Sequence, residues 1–230
     1  MTERLNGLRA ILFDFGGTLD GPGVPWVERF AAAYHAAGLT VAPERLHEAV
    51  GFATRQAYHC PEAPSFDLRA TVEFHVHCQF AYLQLGNAGA AEAIIERFVA
   101  QTAAALAHSR GLLARWQRRF TLGVVSNFYG NVARLLAEAG IVPLLAVMID
   151  STVAGVSKPD PRIFTLALDQ LGLSAAAALY VGDSLQQDIL PARAAGMRTA
   201  WLRGSQAVPE QLPADLCLDT LGELEQVLGA

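Results

Sequence analysis

Cysteine and basic residues are scarce in this sequence, and both shortages narrow the possible functions. The cysteines show no CxxC pair and no spacing typical of a metal site, so we expect reduced thiols in a cytoplasmic protein; they are Cys60, Cys78 and Cys217. Lysine and arginine number 17 against 22 aspartates and glutamates, which gives a formal net charge of −5. The only basic cluster, within residues 115–119, is typical of a solvated helix end, so we expect no nucleic-acid partner.

Long hydrophobic runs are also missing. Residues 1–9 carry charges and contain no apolar stretch of the kind found in a signal peptide. The richest apolar run, residues 142–149, contains Pro143 and is too short to cross a bilayer. We therefore expect no membrane partner.

Short apolar runs alternate with helical segments at the start of the chain and again after residue 120. Apolar residues make up 52% of the 230 residues, which predicts a globular chain with a sizeable core. We predict strands over residues 11–13, 122–125, 144–149, 178–181, 199–202 and 216–218, and helices over 131–139, 161–171, 221–228 and from Ser184 to Ala195. Such alternation is typical of an α/β fold with a Rossmann-like parallel sheet and helices on both faces.

Residues 25–106 show helical periodicity and no convincing strand. Two longer helices are predicted over 66–85 and 90–106, joined by a glycine-containing turn. The pattern predicts a catalytic core over residues 1–19 and 109–230, with an all-helical insert over residues 20–108.

Polar residues follow several of the predicted strands, at the sheet edge where α/β proteins bind ligands. They are Asp14, Ser126, Asn127, Lys158 and Asp183. Asp14 is a candidate nucleophile toward phosphoryl groups, and the adjacent glycines leave backbone N–H groups free to face an anion. Asp183 and Asp188 together with Asp14 offer oxygen ligands for Mg²⁺. Each residue alone also fits a turn, a surface charge or a helix cap, but the set favours one convergent site.

These motifs resemble those of the haloacid dehalogenase superfamily, whose members are mostly Mg²⁺-dependent phosphatases. The matching segments are Asp14-Phe-Gly-Gly-Thr18, Val125-Ser126-Asn127, Ser157-Lys158-Pro159-Asp160-Pro161, and Gly182-Asp183-Ser184 with Asp188. The resemblance covers nearly the whole chain. It implies that the insert is a helical cap of the C1 type, which closes over the site and selects the substrate.

The resemblance also implies a role for each matching residue. Asp14 would be the nucleophile that becomes an aspartyl-phosphate, and Lys158 would neutralise charge on the nucleophile and the phosphate. Thr18, Ser126 and the backbone of Asn127 would contact phosphoryl oxygens. Asp183 would ligate Mg²⁺ with Asp14 and the Gly16 carbonyl, while Asp188 would support Lys158 or the waters of the metal.

Gly16 departs from the phosphatase pattern, in which a second aspartate acts at this position as general acid and base. Losing such a group typically lowers the rate on the order of 10²- to 10⁴-fold. A good leaving group, such as that of a sugar 1-phosphate or an acyl phosphate, would need little protonation. Asp20, His59 and His77 are candidate substitutes.

The departure leaves three functions open. The first is a phosphatase or phosphotransferase acting on a small phosphorylated metabolite. The second is a metal-independent haloacid dehalogenase, against which the acidic Asp183 argues. The third is a weakly active or non-catalytic binder of a phosphorylated ligand or a protein. Monomer and homodimer are both open.

Three other features could suggest a metal site or a ligand contact, but a structural role explains each of them. His75 and His77 are two residues apart on a helix, so they point to different sides and are unsuited to one metal ion. The aromatic residues within 26–34 and 74–82 are predicted to form the core of the cap. Arg55 is predicted to lie on a solvated helix face.

Overall fold

A six-stranded parallel sheet forms the core of the protein. The computed structural model describes residues 7–204 and 206–228, so the expectation for residues 1–6 lies outside the described residues. The strands run in the order β3-β2-β1-β4-β5-β6; they are β1 (Ala10–Phe13), β2 (Thr121–Ser126), β3 (Val147–Asp150), β4 (Ala178–Gly182), β5 (Arg198–Leu202) and β6 (Leu216–Leu218). All five pairings are parallel. The predicted α/β fold is confirmed.

Strand β1 shows how the sheet is buried on both faces. Ile11 and Phe13 pack into one apolar cluster, while Ala10 and Leu12 pack into another on the opposite face. Successive side chains of a strand point to opposite faces, so an uninterrupted apolar run is what a doubly covered strand requires. This burial fixes β1 at the centre of the sheet and places Asp14 at its carboxyl end.

Four helices are inserted between β1 and β2, as expected for a helical cap. They are α1 (Trp26–Ala36), α2 (Pro43–His59), α3 (Leu68–Leu83) and α4 (Ala88–Trp116). Helix α4 is longer than predicted, with 29 residues, and it passes through residue 108 without a break. Its last residue, Trp116, stacks on Phe13 with ring centroids 5.8 Å apart. The boundary of the cap at residue 108 stays a prediction.

The remaining helices follow the predicted order with local differences. They are α5 (Val132–Glu138), α6 (Ser151–Ala154), α7 (Arg162–Leu171), α8 (Leu190–Ala194) and α9 (Glu223–Leu228). The third strand begins at Val147 and not at Leu144, because Pro143 lies in a 3₁₀ turn over Val142–Leu144. The helix predicted after Ser184 is divided into a wide turn over Leu185–Ile189 and the short α8, which has Pro191 in its first turn.

Hydrogen bonds join the cap to the core away from the chain connections. Asn131 donates through Nδ2 to the Phe66 carbonyl, at 3.1 Å, and to Thr71 Oγ1, at 2.9 Å. The Leu68 amide donates to Glu138 Oε2 at 3.1 Å. In the described part of the chain, no helix combines the length and apolar character needed to cross a membrane.

Candidate active site

The loop after β1 presents Asp14 at the bottom of a cleft between core and cap. The Asp14 amide donates to the Val181 carbonyl of β4 at 2.9 Å, which holds the loop against the neighbouring strand. Gly17 has φ of +86°, and a Cβ there would lie 2.3 Å from Asp183 Oδ2. Glycine is therefore required at this position, both for the backbone angle and for the close approach of Asp183.

Asp14 is held by a serine and a lysine from two other loops. Its Oδ1 accepts hydrogen bonds from Ser126 Oγ at 2.8 Å and from Lys158 Nζ at 2.6 Å. Lys158, the only lysine in the sequence, also donates to Asp188 Oδ1 at 2.5 Å. The expected convergence of these groups at one sheet edge is thus confirmed. Asp14 Oδ2 accepts no hydrogen bond within the described residues, which leaves it free to face a ligand.

Burial and the charges of neighbouring groups shift the pKa values of the ionisable side chains in the site. Burial raises the pKa of Asp14 to about 6; Lys158 opposes this rise, and the charge of Asp188 adds to it. Burial also raises the pKa of Asp183 well above its usual range, with further contributions from Asp188 and Asp14. Burial alone would lower the pKa of Lys158, but the two carboxylates beside it raise that pKa above its usual value. Lys158 is therefore a fixed positive charge at neutral pH.

Asn127 and Tyr180 hold Lys158 in position, a role that was not predicted for either residue from the sequence. The Asn127 side chain donates to the Lys158 carbonyl at 2.9 Å and accepts from the Lys158 amide at 2.8 Å. The Tyr180 hydroxyl donates to the Val125 carbonyl at 2.7 Å and lies 3.1 Å from Lys158 Nζ. A tyrosine in an otherwise apolar, fully buried strand was the available signal for the second of these contacts.

The site has the oxygen ligands and the net negative charge that suit a divalent cation. One carboxylate oxygen each from Asp14, Asp183 and Asp188 lie within 4.8 Å of one another. Three buried carboxylates face one lysine. The Asp183 carboxylate accepts no hydrogen bond from the described residues, whereas its backbone carbonyl accepts from Trp201 Nε1 at 2.9 Å. Hard carboxylate oxygens are the ligands that Mg²⁺ prefers, and a dication would offset the excess negative charge. The residues present therefore fit Mg²⁺.

The cleft above Asp14 has a volume of about 300 Å³ and walls from both parts of the protein. The cap contributes Trp26, Val50, Thr54 and Tyr58, and the core contributes Phe128 and Tyr129 after the second motif. Trp26 was predicted to belong to the cap core. It does pack on Phe30 and Phe98, but it also lines the cleft.

Several residues that were predicted from the sequence to act in the site do not line the cleft or are engaged by other groups. Thr18 is fully buried, does not line the cleft, and its Oγ1 has no partner. Asp20 is a poor substitute acid, because its carboxylate accepts from the Gly17 amide and from Trp26 Nε1, both at 2.6 Å. The other two suggested substitutes, His59 and His77, are exposed and do not line the cleft.

Two predictions about the cap agree with the geometry. Arg55 is exposed and does not line the cleft. His75 is buried and bonds through Nε2 to the Tyr129 hydroxyl at 2.9 Å, whereas His77 faces solvent, so the pair shares no metal ion.

A doubly covered parallel sheet, a helical cap and a buried carboxylate cluster at the sheet edge define a capped α/β hydrolase. Residues 8–196 match the model of the haloacid dehalogenase-like hydrolases, and the chain belongs to that family. It is similar to human haloacid dehalogenase-like hydrolase domain-containing protein 3, with 29% identity over 97% of this chain and 94% of that protein. It is also similar to the phosphoserine phosphatase of Thermus thermophilus, with 33% identity over 52% of this chain and 48% of that one.

A solved structure agrees with this assignment at the level of the fold. The magnesium-bound HAD hydrolase YfnB from Bacillus subtilis aligns with a TM-score of 0.60 and 19% identity over 97% of this chain and 99% of that one. Among the first curated relatives that match, the aligned part spans about half of their length.

Proposed function

We propose that this chain is a Mg²⁺-dependent phosphatase or phosphotransferase that acts on a small phosphorylated metabolite through an aspartyl-phosphate on Asp14. The observation that carries the proposal is the cluster of three buried carboxylates that face a single lysine, which leaves an excess of negative charge. Such a cluster has little reason to exist without a cation and an anionic ligand, because unpaired buried charges are strongly destabilising. The phosphatases among the relatives support the same conclusion.

In the proposed reaction Asp14 Oδ2 attacks phosphorus, and the bond from phosphorus to the leaving-group oxygen breaks with its electron pair on that oxygen. Ser126 and Lys158 hold Asp14 Oδ1, so the second oxygen faces the substrate in one orientation. In this proposal Lys158 and Ser126 also contact the phosphoryl oxygens. Water then attacks the aspartyl-phosphate, releasing phosphate and regenerating Asp14. Bound Mg²⁺ would neutralise phosphoryl charge, held by Asp14, Asp183 and the Gly16 carbonyl.

The described residues offer no acid in the position that protonates a leaving group. Gly16 lines the cleft, and the only carboxylates that line it are Asp14, Asp183 and Asp188. Asp188 is engaged with Lys158 and with the Ser184 amide, at 3.0 Å, so it positions the lysine and is not free to move a proton. We therefore expect the enzyme to prefer substrates whose leaving group departs as a stable anion.

The experiment that tests the proposal compares three substrates with Mg²⁺ and with EDTA: p-nitrophenyl phosphate, acetyl phosphate and L-2-chloropropionate. Phosphate release that is lost with EDTA and in Asp14→Asn supports the proposal. Asp169→Asn, the same change at an exposed position on α7, is the matched control and should keep full activity. Chloride release that is indifferent to EDTA would instead identify a dehalogenase, and release of neither product would favour a binder.

A further inference from the structure

Four aromatic rings line the cleft above Asp14, two from each part of the protein. Trp26 and Tyr58 come from the cap, and Phe128 and Tyr129 come from the core. Tyr58 is 40% exposed although it is a large aromatic residue, and its one recorded ring contact is an edge contact with Tyr129 at 5.0 Å. One face of the Tyr58 ring therefore remains available to a group bound in the cleft.

Three of these four rings are held by contacts within the protein before any ligand arrives. The Tyr129 hydroxyl is bonded to His75, and Phe128 packs edge-on against Phe15 at 5.1 Å. The Trp26 indole donates to Asp20. A preorganised surface loses little conformational entropy on binding, so it contributes more to affinity than mobile side chains do.

Charge in the cleft restricts the ligand further. Among the described residues that line it, Lys158 is the only cation, and it is already paired with Asp14 and Asp188. A second anionic group on the substrate would find no partner and would be repelled by the carboxylates. Burying an unpaired charge is unfavourable, so the cleft selects against a second anionic group.

We infer that the leaving group of the substrate is flat and aromatic and carries no second negative charge, as in a monocyclic aryl phosphate or aroyl phosphate. This inference rests on the proposed function and specifies its substrate class. The volume of about 300 Å³ is at the small end for ligand sites, which suits one ring. When Asp14 attacks phosphorus, the departing phenolate or arenecarboxylate takes the electron pair as a delocalised anion, so no proton donor is needed opposite Gly16.

Three acyl phosphates separate ring recognition from leaving-group acidity. Benzoyl, acetyl and succinyl phosphate release carboxylates of similar basicity but differ in ring and charge. We expect kcat/KM for benzoyl phosphate to exceed that for acetyl phosphate by about 10-fold or more, from the additional apolar area that is buried. Succinyl phosphate should be the poorest of the three. Equal values for benzoyl and acetyl phosphate, or a preference for succinyl phosphate, would overturn the inference while leaving the proposed function intact.

A binding measurement keeps the inference testable even if turnover fails. In calorimetry with Mg²⁺, benzylphosphonate should bind more tightly than ethylphosphonate, and Tyr58→Ala should reduce that preference by about 3- to 10-fold. Tyr82→Ala is the matched control, because Tyr82 lies on α3 outside the cleft and contacts Phe52 and Glu48. A preference for the ring in the absence of any hydrolysis would refute the proposed function alone. No preference, or an equal loss in both variants, would refute the aromatic site.

Discussion

Replacing Gly16 with aspartate should supply the missing general acid. The backbone at Gly16 has φ of −73° and ψ of 116°, which any L-residue adopts. The nearest atom to a Cβ at this position is Trp26 Nε1 at 3.9 Å, an ordinary contact distance. The new carboxyl group would face the cleft close to three other carboxylates. Their charge would raise its pKa and favour the protonated form that can donate to a leaving group.

The gain should depend on the leaving group. A positioned general acid contributes about 10²- to 10⁴-fold, equivalent to about 2.7 to 5.4 kcal/mol of activation free energy. Leaving groups that depart as stable anions need little of this contribution. We therefore expect Gly16→Asp to raise kcat/KM by at least about 10²-fold for an alkyl phosphate and by less than about 3-fold for acetyl phosphate.

The assay is a plot of log kcat/KM against leaving-group pKa for a series from p-nitrophenyl to alkyl phosphates. The wild-type plot should be steep, and that of Gly16→Asp should be flatter. Gly16→Asn has the same shape but no proton to transfer, so it should retain the steep plot. A folded, Mg²⁺-binding Gly16→Asp with an unchanged slope, or an equal gain in Gly16→Asn, would refute the reasoning.

Four further predictions follow from the site and the cap. Asp14→Asn should abolish phosphate release and leave the melting temperature equal or higher, because it removes one of several mutually repelling buried charges. If the variant turned over at the wild-type rate, Asp14 could not be the nucleophile. Lys158→Met should destabilise the apo protein by about 3 to 5 kcal/mol in urea unfolding, since it leaves two carboxylates unpaired; an unchanged midpoint would contradict that pairing. Mg²⁺ at 100 times its Kd should stabilise the wild type by about 2.7 kcal/mol, and Asp183→Asn should remove this shift, as measured by thermal unfolding with Mg²⁺-free buffer containing EDTA as the reference. Burial lowers the pKa of His75 from 6.5 to about 3, so between these values His75 binds a proton in the unfolded chain but not in the folded chain; His75 should therefore lower the free energy of unfolding by about 1.4 kcal/mol per pH unit as pH decreases through this window, and this contribution should be missing from the pH dependence of His75→Gln.

The sheet and the position of its polar edge could be predicted because their signals are local. Each strand is a short, largely apolar run that ends in a polar residue or a glycine or is directly followed by a polar residue. Gly140 and Gly172 follow helix ends with positive φ, as expected. Parallel strands place their carboxyl ends together, so Asp14, Ser126 and Lys158 were expected to meet, and they do.

Other features depend on contacts between distant segments. The last turns of α4 were not predicted, because Leu112, Leu113 and Trp116 are explained only by the sheet on which they pack. A motif also does not reveal the direction of a side chain, and Thr18 points away from the cleft that its motif helps to form. The pairing of Tyr58 with Tyr129 depends on how the cap lies on the core, which no local pattern encodes.

A bend in helix α4 would shift the cap relative to the sheet. Gly111 is the only glycine in this helix after its first turn, and it lies two residues beyond Ser109, whose hydroxyl donates to the Leu19 carbonyl at 2.7 Å. Glycine weakens a helix by about 1 kcal/mol relative to alanine, so bending concentrates there. Ala88 lies about 35 Å from this pivot along the helix, and a bend of about 5° displaces it by about 3 Å. Asp14 lies five residues before Leu19, which Ser109 holds close to this pivot, so such a bend would displace the far end of the cap while moving the reacting carboxylate very little.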